Sequence, residues 1–218
     1  MTFFDIVLQT TGSLHSDGEP DDFISEFTGL IRAEGDDGVP RRVGKIHAWR
    51  INAEVAAASG EPLFDVCDAH SRELHEVQTL LYEPSSYHYW EGIVDRFDQA
   101  GWDTLVLDYV VLHPRWRGLR LGLLAARKMV DLLAGGCGLV VCDIAPLRSD
   151  AADLLRVPRS WLPKHETTAA RKQAVLSLRR YFRQMGFERI GRTRYYGLSM
   201  ARKAPTMVDL LGPGGTGP

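Results

Sequence analysis

The sequence predicts an α/β protein whose mixed sheet is built on a strand–helix–strand core, and three stretches carry that prediction. Thr104 to Leu112 is almost continuously apolar, as a strand buried on both faces must be. Gly118 to Ala134 repeats its apolar residues at helical spacing and is closed by Gly135-Gly136. Gly138 to Ala145, GLVVCDIA, is a second buried run. Strand, helix and strand at this spacing read as a right-handed βαβ unit with parallel strands.

The remaining elements follow in order. Phe3 to Thr10 is apolar and β-branched and reads as a strand, and 11–22 is a loop rich in Gly, Ser, Asp and Pro. Phe23 to Arg32 and Val43 to Asn52 read as two strands joined through the turn-forming EGDDGVPRR, hence a hairpin. Helical territory begins at Glu61-Pro62. Val66, Ala69, Leu74, Val77, Leu80 and Leu81 form one stripe over 65–82, with Ser71 as a cap near a first turn. Glu83-Pro84-Ser85-Ser86 breaks it. A second helix is expected over 87–99, with Trp90, Ile93, Val94 and Phe97 inward and Gly101 ending it. After the βαβ unit, Pro146 to Pro163 is irregular. Thr167 or Thr168 caps a helix to Met185, and Gly186 stops it. FERIGRTRYYGLSM then bends near Gly191 or pairs with itself. The organisation expected is one domain over 1–211 with a flexible tail, GPGGTGP, over 212–218.

Composition bounds the function. The chain has 218 residues, 44% of them hydrophobic and 25% charged, enough for a proper core. No run of about 18 apolar residues occurs, so no membrane partner is expected, and MTFFDIVLQTTG does not read as a signal peptide. Cys67, Cys137 and Cys142 do not make a disulfide framework, which suits a reducing cytoplasm. Net charge is −2, unevenly spread: residues 1–100 hold 7 Lys+Arg against 19 Asp+Glu, and 101–218 hold 19 against 9. An acidic half can attract a cationic partner, although solvated faces account equally well for such runs.

The chemistry concentrates where the central strand meets its helix. Arg117-Gly118-Leu119-Arg120-Leu121-Gly122 turns the chain into a helix N-terminus, where free N–H groups and the positive dipole end suit a phosphate. A Rossmann reading fails, because Gly135, Gly136 and Gly138 follow a helix and precede a strand. A P-loop fails for want of Gly-Lys-Ser/Thr. VVLHPRWRGLRLG resembles the acetyl-CoA motif of the GNAT superfamily of N-acetyltransferases, Arg/Gln-x-x-Gly-x-Gly/Ala. Arg117 and Gly122 match its ends, and Arg120 replaces its middle Gly. The helix that follows, LVVCDIA, and YFRQMGFERIG, whose Gly186-Phe187 match a family junction, extend the resemblance over about 105–200.

That resemblance implies a GNAT-like fold with splayed central strands and acetyl-CoA as cosubstrate. The amides of Arg117 to Gly122 would take its pyrophosphate, with Arg120 adding a cation though crowding the backbone. Backbone groups of Val111, Leu112 and His113 would bind the pantetheine arm, and an amide near Leu112 the oxyanion. The family's central-strand carboxylate corresponds to Asp108, a candidate base or substrate anchor, and equally a structural hydrogen-bonding group. Asp143 is the parallel case on the next strand. The family's tyrosine acid falls on Phe182, which leaves the adjacent Tyr181 as the candidate, about 100° round the helix. If Tyr181 is unused, solvent protonates the thiolate. The helices over 65–99 fall after the hairpin rather than after the first strand, so the acceptor pocket transfers least from the family.

Other clusters are weaker. Cys67 and His70 have i,i+3 spacing, with His75 nearby, but no second pair completes a metal site, so no metal is expected. His113 and His165-Glu166 are candidates to line a pocket. Tyr87, Tyr89 and Trp90 are candidates for an aromatic wall or for core packing. The function expected is N-acetyl transfer to a primary amine on a small molecule or a protein, and the acidic half hints at a cationic acceptor such as a polyamine, a basic antibiotic or a lysine side chain. Two rivals stand beside it: a non-catalytic CoA-binding sensor, and an RNA- or tRNA-directed acetyltransferase suggested by ten Lys+Arg against Glu188 alone over 168–203. The acidic overall balance argues against a nucleic-acid partner. A homodimer is left open.

Overall fold

A computed structural model describes residues 2–11, 19–98, 101–148, 150–164 and 167–211. The tail 212–218 and His165-Glu166 lie outside the described residues. The described residues form a seven-stranded mixed sheet in the order β1-β2-β3-β4-β5-β7-β6. Its strands are β1 (Phe3–Thr10), β2 (Ile24–Glu34), β3 (Pro40–Ile51), β4 (Asp103–Leu112), β5 (Cys137–Asp143), β6 (Glu188–Arg189) and β7 (Tyr195–Ser199). Neighbours run antiparallel except β4 and β5, whose parallel pairing needs the crossover the sequence predicts. The expected hairpin is β2–β3, and the last predicted strand pairs with itself as β6–β7.

Helices cover both faces. Between β3 and β4 come α1 (Ala53–Ser59), α2 (Leu63–His70), α3 (Arg72–Leu81) and α4 (Glu91–Phe97). Val66, Cys67, Leu74, Val77, Leu81, Ile93 and Phe97 pack there against Val106, Leu139 and Val141 of the sheet. On the opposite face lie α5 (Leu121–Leu133) and, after the four-residue α6 (Ala152–Leu155), α7 (Thr168–Gln184). Leu123, Ala126, Met129, Val130 and Phe182 meet Leu105, Leu107, Val140 and Cys142. A last helix, α8 (Met207–Leu211), lies against α5.

Several expectations need correction. Helix begins at Ala53, ahead of Glu61-Pro62. The stripe over 65–82 is two helices, because Ser71 is extended at φ −163° and its Oγ accepts from Leu74 N, ending α2 and capping α3. Ala69 is exposed. Residues 87–90 are not helical: Tyr89 bridges to Tyr82, and Trp90 stands outside with 42% of its surface exposed. Gly118, Leu119 and Arg120 form a turn, so α5 starts at Leu121. Thr167 is the cap of α7, its Oγ accepting from Ala170 N. The irregular stretch after Pro146 holds α6 and a short 3₁₀ turn at Arg159–Trp161. Its Ala152, Leu155, Val157, Trp161 and Leu162 pack on Tyr109 and Val111 of β4.

Candidate functional site

β4 changes character at Asp108. His47 of β3 pairs with Tyr109 and Ala48 with Leu107, which leaves Asp108 as the extra residue of a β-bulge. The bulge reverses the alternation of side chains. Leu105 and Leu107 face α5 before it, and after it Val110 and Leu112 face that way while Tyr109 and Val111 turn to the other face. β5 leaves β4 at the same level, where the last paired residues are Leu107 and Cys142. Beyond that point β4 has one partner among the described residues, β3. His113 N–H donates to Val43 O, so alternation aims the backbone groups of Val111 and His113 at β3 and those of Val110 and Leu112 at the edge β5 has left. Of the three residues expected to bind pantetheine through their backbone, Leu112 therefore faces the open edge, and Val111 and His113 do not.

Asp108 lines a cleft of about 920 Å³ on the α1–α4 face. His47 Nδ1 lies 3.0 Å from Asp108 Oδ2, and His47 Nε2 lies 2.8 Å from Glu26 Oε1. The side chains of Asp108, His47 and Glu26 are 26%, 7% and 60% exposed, so the chain Asp108–His47–Glu26 runs along the wall of the cleft, through a buried ring, to its most solvent-exposed carboxylate. The His47 ring stacks on Tyr109 at 5.3 Å and meets Trp49 edge-on at 4.9 Å, which fixes its plane. An imidazole with a carboxylate on each nitrogen donates to both only as imidazolium. A neutral ring donates through one nitrogen only. Sequence reasoning missed His47 and Glu26, since both sit in ordinary strands and meet Asp108 only through the sheet.

Asp143 faces the same cleft from the end of β5. Burial pushes its carboxyl up to about 6 against the opposing pull of Arg194, with Glu76 and Asp108 also raising it. Arg194 Nε holds Asp143 Oδ2 at 2.8 Å, while the buried Oδ1 has no hydrogen-bond partner among the described residues. Arg194 also donates to Glu76 Oε2, as does the Tyr195 hydroxyl. Because the fold favours protonated Asp143, this residue lowers stability as pH rises from about 4 to about 6. In urea melts, the stability of wild type relative to Asp143→Asn is expected to fall by on the order of 2 kcal/mol between those limits. Parallel pH profiles for the two proteins would refute this.

The turn after β4 is exposed from Arg117 to Arg120. No side chain caps α5, and among the described residues no backbone carbonyl accepts from the N–H groups of Gly118 to Gly122, so this end can receive an anion. The two arginine side chains are otherwise engaged. Arg117 donates to Leu112 O and Trp161 O, and burial lowers its pKa. Arg120 has φ +58°, the left-handed conformation that a Gly would take without strain, and its Nη1 donates to Leu210 O at 2.6 Å. One N–H of Arg120 is thus tied to the end of α8, which draws its guanidinium toward Leu210 while its charge stays unpaired among the described residues. His113 is also committed locally, its Nδ1 accepting from Arg115 N and its ring packing edge-on to Trp161.

Tyr181 does not join Asp108. It packs with the cluster on the α5 face, its ring edge-on to Phe182 at 5.3 Å, and burial raises its pKa. A Cβ built on Gly122 would stand 2.9 Å from the Tyr181 hydroxyl, which places Tyr181 beside the turn rather than in the cleft. The other candidates are structural. The Tyr82 and Tyr89 hydroxyls are buried against Thr104 Oγ1, at 2.7 and 2.8 Å. Cys67, Cys137 and Cys142 are buried and free, and burial pushes the first two thiols up to about 12 and about 11. His75 pairs with Asp68, and no group of three metal-ligating side chains occurs among the described residues. No described helix is long and apolar enough to cross a membrane.

Comparison with known proteins adds little. No family model matches the chain, and no curated protein matches it. Among solved structures, a variant of an agmatine N-acetyltransferase in its apo form aligns at a TM-score of 0.36 and 12% identity, over 90% of this chain and 100% of that one.

Proposed function

We propose that this chain is an acyltransferase of the GNAT type that moves an acetyl group from acetyl-CoA to a primary amine. The observation that carries the reading is the parting of β4 and β5 after Leu107 and Cys142, with a carboxylate bulged into a cleft at that level. The edge that β5 leaves offers Val110 and Leu112 to the pantetheine arm, and the cleft at the level of the parting offers a proton acceptor at Asp108. The uncapped amides of Gly118 to Gly122 at the end of the same strand take the pyrophosphate. Arg117 contributes by fixing the turn to Leu112 O and Trp161 O rather than by touching phosphate.

The acceptor enters as an ammonium and gives a proton to Asp108, which passes it through His47 to Glu26 and water. The free amine attacks the thioester carbon and a C–N bond forms. The oxyanion is met by an amide on the open edge of β4, with that of Leu112 as the candidate. The C–S bond then breaks, the nitrogen loses its second proton, and the departing CoA thiolate takes up one from solvent or from Tyr181. The products are the amide, CoA thiol and one proton released to water.

Calorimetry with acetyl-CoA and thiol release across an amine panel test this together. Saturable binding and amine-dependent thiol release are expected. Binding without turnover would leave a CoA sensor, and no binding at all would end the reading. Three of the ten cations over 168–203 are already engaged, Arg189 with backbone carbonyls, Arg194 with Asp143 and Glu76, and Arg202 with Glu188, which weakens the nucleic-acid alternative.

A further inference from the structure

The cleft that holds Asp108 is acidic at one end only. Lys45 is two residues from His47 on β3 and faces the same way, so the two side chains leave the sheet about 7 Å apart. Both rest on one ring: His47 stacks on Tyr109 at 5.3 Å, and Lys45 Nζ lies over the same ring at 5.6 Å from its centre. Lys45 Nζ donates to Leu155 O at 3.1 Å, which uses one of its three protons, and no carboxylate lies within ion-pair distance among the described residues. Arg156 follows Leu155 in the left-handed conformation, at φ +50°, and lines the cleft with no carboxylate partner among the described residues. Burial lowers the Lys45 pKa, and the charges of Arg156 and Arg42 lower it further, while Glu26 and Asp108 pull the other way from beyond ion-pair distance. Two like charges at the wall of a cleft, neither in an ion pair among the described residues, are an arrangement that an anion relieves.

We infer that the acceptor carries an anionic group as well as its amine, with Lys45 and Arg156 taking the anion while Asp108 takes the ammonium. This rests on the acyl-transfer reading for the amine end and departs from the polyamine-like acceptor that the acidic half of the sequence suggests. The anion is a carboxylate or a phosphate, separated from the amine by a short chain, since Lys45 and His47 leave β3 roughly 7 Å apart and Asp108 Oδ2 lies 3.0 Å from the His47 ring. Tyr109 forms the floor between them.

Three amines of equal chain length but different far ends decide the matter: 4-aminobutyrate, butylamine and 1,4-diaminobutane, with 3-aminopropylphosphonate to distinguish carboxylate from phosphate. Each is measured with acetyl-CoA by thiol release, and by calorimetry without acetyl-CoA. The expected result is a preference of at least about tenfold for one of the two anionic amines over both others, mostly in KM. In Arg156→Gln and Lys45→Met that ratio is expected to collapse towards one. Arg156→Gln is the safer variant, because Arg156 is exposed whereas Lys45 also holds the Leu155 carbonyl. Equal handling of all the amines, preference for the diamine, or a preference that survives both substitutions would overturn the inference. If no amine releases thiol, the acyl-transfer reading fails by itself, and the calorimetric ranking still decides whether the cleft selects an anion.

Discussion

Asp108→Asn is expected to lower kcat/KM for acetyl transfer by about 10²–10⁴-fold, the range general-base catalysis supplies, with the Kd for acetyl-CoA unchanged. The substitution keeps the size of the side chain and its place in the bulge but removes the acceptor that faces the incoming amine. Asp108 is 26% exposed, so the substrate can reach it, and its far oxygen is 3.0 Å from His47. His47→Gln is expected to cost less, about tenfold or somewhat more, because Asp108 keeps its charge and loses only the route that carries the proton away. Glu26→Gln should cost least: Glu26 is 60% exposed, and water can replace a carboxylate that is already in water. The graded order Asp108, His47, Glu26 is the signature of a proton path leading outward. A merely structural cluster would grade by burial instead, with His47 the most damaging. Rates read against pH for the three variants, with melting curves as controls for folding, separate these two orders. An Asp108→Asn enzyme within about threefold of wild type would remove Asp108 as the base.

How much of this was visible in the chain depends on whether the cause was local. β4, β5 and the crossover helix follow from apolar runs and periodicity, and Gly186 stops α7 in a left-handed conformation (φ +90°) that favours glycine. Asp108 stood out because a lone carboxylate in a buried run demands a reason. His47 did not, because its partners are 21 and 61 residues away and its own strand offers no anomaly. The bulge at Asp108 is invisible for the same reason, being defined by the register of β3. The role of Arg120 is the sharpest instance. A charged residue in a phosphate turn invites an electrostatic reading, yet its side chain goes to a carbonyl 90 residues on. Errors over 53–90 are of another kind. AEVAAAS has too few large apolar residues to show a stripe, and the stripe over 65–82 continued across Ser71 although the chain did not continue as one helix.

The second large effect expected is at Gly122, and it bears on what Tyr181 is for. Gly122 opens α5 where the helix closes on β4: an added Cβ would meet the Tyr181 hydroxyl at 2.9 Å and the side chains of Leu112 and Val110 at 3.4 Å. The latter two contacts can give slightly. The first is too close, and the Tyr181 ring is held between α5 and Phe182. Gly122→Val brings two further methyls into the same space and should cost about 1–3 kcal/mol of stability, as overpacking does, together with most acetyl-CoA binding, because the open amides sit on the displaced turn. Gly122→Ala should weaken acetyl-CoA binding by about tenfold, since roughly 1.4 kcal/mol of misfit at the turn corresponds to that factor. Tyr181→Phe removes the one atom in the way. Combined with Gly122→Ala, it is expected to restore binding most of the way, whereas two independent defects would add. The same substitution alone reads the chemistry. If Tyr181 delivers a proton to the departing thiolate, Tyr181→Phe lowers kcat with binding intact. If its hydroxyl only fills the space above Gly122, kcat stays within about twofold, and solvent suffices for a leaving group whose thiol has an ordinary pKa of about 8.5. Its position on the α5 face, away from Asp108 and the cleft, makes the second outcome the expected one.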